Sequence, residues 1–309
     1  MRVDRADVCY RLARVLQRQN RSLALPVSIF IQTLNEEDNL PGLIESVAWC
    51  DDVVVLDSLS TDRTKEIAEQ HGCRWFERAY DGRGPHQNWA MENIEFKHRW
   101  VFYLDADERM TPELRAEIEA IADDWDAGKR TRENNDPVAY YCGRKNYFRD
   151  RWLKHAMPPG NIMRFFQPPL IRFARLANPT PTVDGEIGYL KQMFIHYNFS
   201  KGLNEWFARH NRYSTYEAKE TIKALADNPV RLGNLFSADR NTRRLELKNL
   251  SFRMPARPVL KFFYMYLVQL GILDGPAGLT YCFLQAIYEY LIILKVHEMR
   301  RVERGLIPS

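Results

Sequence analysis

The stretch "RWVFYLDADERMTPEL", residues 99–114, contains the most informative pattern in the sequence. A run of bulky apolar residues ends at three acidic side chains within four positions, Asp105, Asp107 and Glu108, and a Thr-Pro-Glu helix start follows at once. Carboxylates that lie close together repel one another unless a positive group sits between them. The pattern therefore indicates either a solvated turn or a divalent metal site at the end of a buried strand.

Other apolar runs of strand length precede this one. They are "VSIFIQT" (27–33), "DVVVLDS" (52–58) and "CRWFE" (73–77), and segments with helical spacing, such as 40–49 and 60–72, lie between them. Strands that alternate with helices and are apolar throughout are typical of a parallel sheet covered on both faces. The sequence therefore predicts an α/β fold with a mostly parallel, Rossmann-like sheet. "VAYYCGRKNYF" and "PPLIRFA" extend the sheet past residue 137.

Polar side chains follow three of these strands at their carboxyl ends. They are Asn35-Glu36-Glu37, Asp57-Ser58 and Asp105-Ala106-Asp107. Ligands of such sheets bind beyond the carboxyl ends of the strands, so the three acidic groups are expected to converge. Mg²⁺ and Mn²⁺ prefer carboxylate and phosphate oxygens, and such an ion can stabilise the charge on a diphosphate leaving group. Convergence favours the metal site over the solvated turn.

Composition and missing motifs narrow the class. The 309 residues are 45% hydrophobic and 27% charged, which is typical of a globular chain of one or two domains. Five scattered cysteines without a CxxC pair argue against a zinc site or a disulfide framework. The chain has no GxxxxGK[ST], no GxGxxG after its first strand and no GxSxG. These absences argue against a P-loop NTPase, a dinucleotide-binding domain and an α/β-hydrolase.

The ends of the chain are basic. From Arg240 onward, 11 Lys/Arg stand against 5 Asp/Glu, and residues 1–25 read as a basic helix without a signal-peptide core. Two apolar, aromatic helices are predicted within 260–273 and 279–296. We expect them to lie in a membrane interface rather than to bind nucleic acid; the alternatives are core packing and a hairpin through the bilayer. The cations expected to face anionic lipid are Arg253, Arg257, Lys261, Lys295, Arg300 and Arg301.

The segment 26–72 together with "VFYLDADERMTPEL" closely resembles the inverting family-2 glycosyltransferases of the GT-A fold, in particular the lipopolysaccharide-core β-glucosyltransferase-like group. The resemblance covers roughly residues 26–298. It implies a nucleotide-diphosphate sugar, most often a UDP-sugar, as donor, and Mg²⁺ or Mn²⁺ as metal. It further implies that the metal is carried by Asp105 and Asp107, and that the donor is bound by Thr33, Asn35, Glu36, Asp57, Asn88 and Asp105.

Two positions depart from the family pattern. Leu59 stands where the family usually has Gly after "DS". His86-Gln87-Asn88 replaces the usual Gln-Lys/Arg-Asn, which removes a cation expected to face the donor phosphate. Both departures leave the identity of the donor open.

Further site residues are expected downstream. "RHNRY" (209–213) has the spacing of the Gln-x-x-Arg-Trp signature of related enzymes, and Arg209 and Arg212 could reach one diphosphate from a helix. A solvated basic face is the alternative. Inverting transfer to a hydroxyl needs a general base. Relatives carry His-Glu before "DGxxGxLK", whereas here Asp184 and Glu186 are the nearest carboxylates, and each could equally be a turn residue.

These observations lead to one expected organisation and function. We expect a basic helix (1–25), a GT-A catalytic domain (26–230) and a membrane-associating helical region (231–309). The chain would move a hexose to a lipid-linked, lipopolysaccharide or polysaccharide acceptor at the cytoplasmic face of a bacterial membrane. The alternatives are a polyisoprenyl-phosphate glycosyltransferase, which needs no base, and a degenerate partner subunit that only binds nucleotide sugar.

Overall fold

The structure is a computed structural model that describes residues 26–174, 180–227, 232–240 and 256–306, with single positions between 240 and 256. The predicted helix at 1–25 and Arg253 lie outside the described residues. The chain forms two compact units. One contains the described residues up to Lys145 together with Pro159–Ser200, and the other contains Asn146–Pro158 and the described residues from Lys201 onward.

The described strands form a nine-stranded sheet in the order β3-β2-β1-β4-β8-β6-β11-β5, with β7 paired to β6, and a separate antiparallel pair, β9 and β10. The strands are β1 (Val27–Thr33), β2 (Val53–Asp57), β3 (Arg74–Glu77), β4 (Trp100–Asp105), β5 (Glu108–Arg109), β6 (Ala139–Phe148), β7 (Arg151–Trp152), β8 (Asn161–Phe166), β9 (Ile171–Ala174), β10 (Thr180–Val183) and β11 (Ile187–His196).

The sheet has a parallel half and an antiparallel half. β3, β2, β1 and β4 run parallel to one another, as the sequence predicts. β4 then pairs with β8, β8 with β6, and β11 with β5, all antiparallel. The predicted α/β class is therefore confirmed, and the predicted extension of the sheet past residue 137 is the antiparallel half.

Helices cover both faces of the parallel half. They are α1 (Leu40–Ser46), α2 (Thr64–Gln70), α3 (Arg83–Asn93) and α4 (Pro112–Asp126). Apolar residues of α1, α2 and α4 form one core with Ile29 and Ile31, whereas α3 packs in a second core with Phe30 and Val54. Alternate residues of β1 thus enter opposite cores, which is why its sequence is apolar throughout.

Helix α4 begins as the sequence predicts. Thr111 precedes it, and its hydroxyl accepts a hydrogen bond from the Leu114 amide, while Pro112 occupies the first helical position. This sharp start turns the chain away directly after the acidic stretch. The side chains of residues 105–108 therefore stay at the carboxyl edge of the sheet.

The second unit is helical. Its described helices are α5 (Gly202–Asp227), a 3₁₀ turn (Leu232–Phe236), α6 (Arg257–Phe263), a π-helical turn (Tyr264–Val268), a second 3₁₀ turn (Gly271–Asp274) and α7 (Gly275–Glu303). Ala218 of α5 packs against Ile292 and Val296 of α7. Because of this packing, α5 belongs with the C-terminal helices, so the division falls near residue 200, not at the expected residue 230.

Two cations of the second unit that were expected to face lipid contact other side chains of the protein. Arg257 forms a 2.7 Å ion pair with Glu289, and both side chains are largely buried. The Lys295 ammonium donates to Asn211 and Thr215 on α5. The expectation that Arg257 and Lys295 face anionic lipid is corrected by these contacts. The same pairing explains how Glu289 is tolerated within an apolar helix.

Candidate active site

The carboxyl ends of three parallel strands form one row at the edge of the sheet. In the register of β1 with β2, Thr33 lies beside Asp57. In the register of β1 with β4, Gln32 lies beside Asp105. The structure therefore brings the three predicted strand ends together, with the end of β1 between those of β2 and β4.

The Asp57 carboxylate is held by neutral donors. It is 1% exposed and accepts hydrogen bonds from the Thr33 hydroxyl at 2.7 Å and from the Ser60 amide at 2.6 Å. The Ser60 hydroxyl donates to the same carboxylate. Such a network fixes the carboxylate without cancelling its charge with a cation.

The loops after β1 and β2 are tied to each other. The Asn35 side-chain oxygen accepts from the Thr61 amide at 2.8 Å, and the Asn35 amide donates to the Ser60 hydroxyl at 2.7 Å. Leu59 has a φ of 67°, a left-handed conformation that favours glycine. The family's usual Gly at this position thus has a backbone reason, and Leu59 keeps the same turn at a conformational cost.

Glu36 is used within its own turn. Its carboxylate accepts from the Asn39 side-chain amide at 2.7 Å, and its backbone amide donates to the Thr64 hydroxyl. Its carbonyl accepts from the amides of Asn39 and Leu40, where α1 begins. Glu36 therefore shapes the loop that carries Asn35.

Asp105 is held by cations. Its Oδ2 accepts from Arg83 and from Arg164, each at 2.7 Å, and the Tyr103 hydroxyl lies beside Oδ1. Burial by itself would raise the pKa of Asp105, but the guanidinium groups of Arg164 and Arg83 outweigh it and hold that pKa well below its usual range. Asp105 is therefore a permanently charged anchor for two arginines.

Arg164 is the positive group between the clustered carboxylates. Its side chain is 2% exposed and donates to Glu108 at 2.6 Å as well as to Asp105. Its guanidinium also lies over the Tyr103 ring, 4.3 Å from the centroid. Burial raises the pKa of the Glu108 carboxyl to about 7. Repulsion within the acidic stretch is thus relieved by an arginine 56 residues away in the chain.

Asp107 points to a different partner. One of its carboxylate oxygens lies 3.4 Å from Nε2 of His196, and the two side chains are 24% and 15% exposed. Antiparallel pairing of β11 with β5 causes this contact, because His196 is aligned with Glu108. An imidazole nitrogen and a carboxylate oxygen suit Mn²⁺, and Mg²⁺ accepts one or two carboxylates with substrate phosphates completing its shell. The described residues include no cluster of three or more His, Cys, Asp or Glu that could hold a metal ion.

The two carboxylates that were expected to carry the metal have different protein partners. Asp105 was expected to share the metal with Asp107, but two guanidinium groups already engage its carboxylate. The Asp107 carboxylate faces His196 and not an arginine. That Asp105 and Asp107 carry a metal stays a prediction. Sequence reasoning missed His196 because it lies 89 positions after Asp107 and no local motif marks it.

Comparison with known proteins assigns this chain to a family. The family model "Glycosyl transferase family 2" matches residues 28–189, which includes the three strand ends. The chain belongs to glycosyl transferase family 2. An uncharacterized glycosyltransferase of Rickettsia conorii is 26% identical over 94% of this chain and 96% of its own length. A lipopolysaccharide core biosynthesis glycosyltransferase of Rhizobium meliloti, LpsC, is 24% identical over 65% of this chain and 73% of its own length.

Solved structures also resemble this chain. Staphylococcus aureus TarS (residues 1–349) is 14% identical over 90% of this chain and 91% of its own, with a TM-score of 0.40. A glucosyl-3-phosphoglycerate synthase of Mycobacterium tuberculosis, solved with Mn²⁺ and UDP, covers 27% of this chain and 34% of its own, at 25% identity and a TM-score of 0.24. The GT-A-like α/β class of this glycosyltransferase is the one expected from its sequence.

Asn88 has a structural partner in this glycosyltransferase. Its side-chain amide donates to the Phe173 carbonyl at 2.9 Å and accepts from the Phe173 amide at 2.8 Å. This two-way contact ties α3 to β9, and binding of the donor by Asn88 stays a prediction. Arg83, one turn before Gln87 on the same helix, is a cation that reaches Asp105.

Asp184 and Glu186 lie at the end of the sheet opposite to the carboxyl ends of the parallel strands. The Glu186 carbonyl accepts from the amide of Val138, just before β6, and β11 then runs ten residues before it reaches His196. At about 3.3 Å per residue the separation is roughly 30 Å. Asp184 is 76% exposed and pairs with Arg132 at 3.3 Å. The structure does not bring either candidate base to the Asp105 edge, because β11 runs antiparallel to β5.

Arg209 and Arg212 lie on α5 in the second unit. The Arg212 guanidinium is 3.7 Å from Glu205, one and a half to two turns earlier on the same helix, and its side chain is 61% exposed. The predicted helix is confirmed. Contact of these two arginines with a diphosphate stays a prediction.

Proposed function

We propose that this glycosyltransferase transfers a hexose, with inversion, from a nucleotide-diphosphate sugar to a lipid-linked or lipopolysaccharide-type acceptor at the cytoplasmic membrane face. The observation that carries the proposal is the row of strand ends. Asp57, Thr33 and Asp105 are neighbours across three strands, and Asp107 follows at the same edge. A UDP-sugar is the donor that the family resemblance favours.

The nucleoside would be recognised at the Asp57 end of the row. Neutral donors hold the buried Asp57 carboxylate rigidly. Its negative charge is therefore fixed at this end of the row before a ligand binds. The Asn35 turn, fixed to Ser60 and Thr61, would border the same surface. We call this surface, formed by Asp57 and the Asn35 turn, the Asp57 ledge. A preorganised polar surface loses little conformational freedom on binding, which favours affinity.

The diphosphate would lie toward the Asp105 end. Arg83 is tethered to Asp105 and is 40% exposed, so its guanidinium can still meet a phosphate oxygen. Asp107 and His196 would hold Mg²⁺ or Mn²⁺ through an oxygen and a nitrogen. When bound, that ion would supply Lewis-acid stabilisation of the negative charge on the departing diphosphate.

The membrane part of the proposal rests on the second unit. Nine large apolar side chains between residues 259 and 273 are more than 40% exposed. On α7, Phe283, Ile287, Tyr290 and Leu294 are also exposed, at the spacing of one helical face. Monomeric soluble proteins rarely expose so much contiguous apolar surface. The described segment Gly271–Glu303 is long and apolar enough to cross a bilayer, by length and composition alone.

We propose that this apolar face lies in the membrane interface. Replacement of Ile287 and Leu294 by glutamate should release the protein from vesicles of anionic and zwitterionic lipid in a sedimentation assay. Replacement of Glu220 and Glu217 on α5 by glutamine serves as a control that changes charge without changing apolar surface. Undiminished sedimentation of the double glutamate variant would contradict an interfacial role for this face.

The catalytic proposal is tested by product formation. Purified protein with Mn²⁺ and a panel of nucleotide sugars should release nucleoside diphosphate from one donor. Asp107→Asn should reduce this release at least a hundredfold, the scale of a lost electrostatic contact to the reacting group. Asp123→Asn, on the exposed surface of α4, removes the same charge away from the site and should retain activity. Donor binding without any turnover would support a partner subunit instead.

A further inference from the structure

A cavity of about 340 Å³ adjoins Asp105 on the antiparallel side of the sheet. Its lining includes Arg83 and Gln87 from α3, Tyr141 and Arg144 from β6, and Arg164 from β8. Because β4 lies between β1 and β8, this cavity and the Asp57 ledge flank Asp105 from opposite sides. Its volume is at the low end of small-ligand pockets.

The lining carries one unmatched positive charge. Arg83 and Arg164 are balanced by Asp105 and Glu108, with which they form ion pairs. In the part of the chain that the structure describes, Arg144 has no acidic partner, and its Nε is buried without a hydrogen-bond partner. A guanidinium in this setting favours an anion that accepts from it.

A second polar group in the cavity also lacks a partner. Gln87 is 3% exposed, and its Oε1 has no hydrogen-bond donor among the described residues. A buried polar atom left unpaired costs free energy that a bound hydroxyl would recover. Tyr141 and Phe173 add aromatic walls. The cavity thus offers a cation for an anionic group, an acceptor for a hydroxyl, and flat apolar surface.

We propose that this cavity binds the acceptor and that the acceptor is a sugar bearing a phosphate or carboxylate group. The proposal rests on the proposed glycosyltransferase function and names the substrate class of its second site. Arg144 contacts the anionic group, Gln87 accepts from a sugar hydroxyl, and the aromatic walls cover the ring. The side of Asp105 away from the Asp57 ledge is left for the acceptor once the donor occupies that ledge.

Ligand-observed NMR titration with three probe sugars tests this proposal. The probes are glucose 6-phosphate, glucuronate and methyl glucoside, each added at constant ionic strength with saturating UDP and Mn²⁺. Wild-type protein should bind at least one anionic sugar about tenfold or more tightly than methyl glucoside, the scale of a hydrogen bond to a charged group. The phosphate and carboxylate arms show which anion is preferred.

The Arg144→Gln variant should lose this preference for the anionic sugar. Arg172→Gln, which removes an exposed arginine of β9 outside the cavity, should keep it. Equal binding of charged and neutral sugars, or a preference that survives in Arg144→Gln, would overturn the proposal. A fall in UDP affinity as large as the fall in sugar affinity would assign the cavity to the donor diphosphate instead.

Failure of the proposed function would look different. Wild-type protein that prefers the anionic sugar but binds no nucleoside diphosphate would refute the transferase proposal while the anion preference of the cavity stands. UDP binding without any anion preference would refute only the acceptor assignment.

Discussion

Asp57 and Asp105 occupy equivalent positions at the ends of two parallel strands, yet the protein holds them by opposite means. Asp57 is surrounded by hydroxyl and amide donors from its own and the neighbouring loop. Asp105 is clamped by two guanidinium groups. The first arrangement preserves a local negative charge, and the second converts an acidic strand end into a site where cations are concentrated. In the function we propose, the Asp57 end of the row would bind the nucleoside and the Asp105 end the phosphates.

The largest effect is expected when the cation that Asp105 shares with Glu108 is removed. Arg164→Met should lower the free energy of unfolding by about 3–5 kcal/mol, because it leaves buried Glu108 without its cation and Asp105 with Arg83 as its remaining cation. Urea denaturation measures the effect. The double variant Arg164→Met/Glu108→Gln should regain part of the loss, since one of the two carboxylates is then neutral. A single variant as stable as wild type would contradict the clamp.

A smaller loss is expected at the other carboxylate. Asp57→Asn turns an amide toward the Thr33 hydroxyl and the Ser60 amide, which have been donating to an anion. We expect a loss of roughly 2 kcal/mol in unfolding free energy, near the cost of unsatisfied buried groups. Thermal and urea unfolding check it. A loss larger than that of Arg164→Met would reverse the comparison.

A third prediction concerns the metal requirement and His196. His196→Ala should raise the Mn²⁺ concentration for half-maximal activity about tenfold, or about 1.4 kcal/mol, because one of two protein donors is lost. Metal titration of donor turnover measures this. His155→Ala, which changes a histidine in the second unit, is the control. An unchanged metal requirement in His196→Ala would show that this imidazole does not hold the ion.

The smallest effect concerns the turn beside Asp57. Leu59→Gly should raise the unfolding free energy by up to about 1 kcal/mol, because glycine adopts the observed left-handed backbone without steric cost. The greater entropy of glycine in the unfolded chain opposes this gain and keeps it small. Leu34→Gly, an exposed position without a positive φ, should instead lose stability. Equal destabilisation by both substitutions would argue that Leu59 contributes contacts that outweigh its strain.

Sequence reasoning reached the parallel half of the sheet and its strand ends because those depend on local patterns. Apolar runs, helix starts such as Thr111-Pro112 and polar strand ends are each contained in about ten residues. Their convergence follows from the geometry of parallel strands. This is why Thr33, Asp57 and Asp105 could be placed at one edge before the structure was described.

The partners of those residues could not be found in the same way. Arg164 and His196 reach the site from antiparallel strands β8 and β11, whose registers have no local sequence marker. The direction of β11 also placed Glu186 far from the edge where a base was expected. Only Arg83 left a usable signal, since it precedes Gln87 by one helical turn and faces the same way.

Calorimetric titration of UDP in the presence of Mn²⁺ measures whether this row of strand ends binds a nucleotide-diphosphate sugar, as we propose. Wild-type protein should bind UDP with a dissociation constant between about 1 µM and 1 mM, the usual range for enzyme substrates. Asp57→Asn should weaken binding at least tenfold, whereas Asp123→Asn should not change it. No binding of any nucleoside diphosphate by wild type, or equal affinity in Asp57→Asn, would contradict the claim.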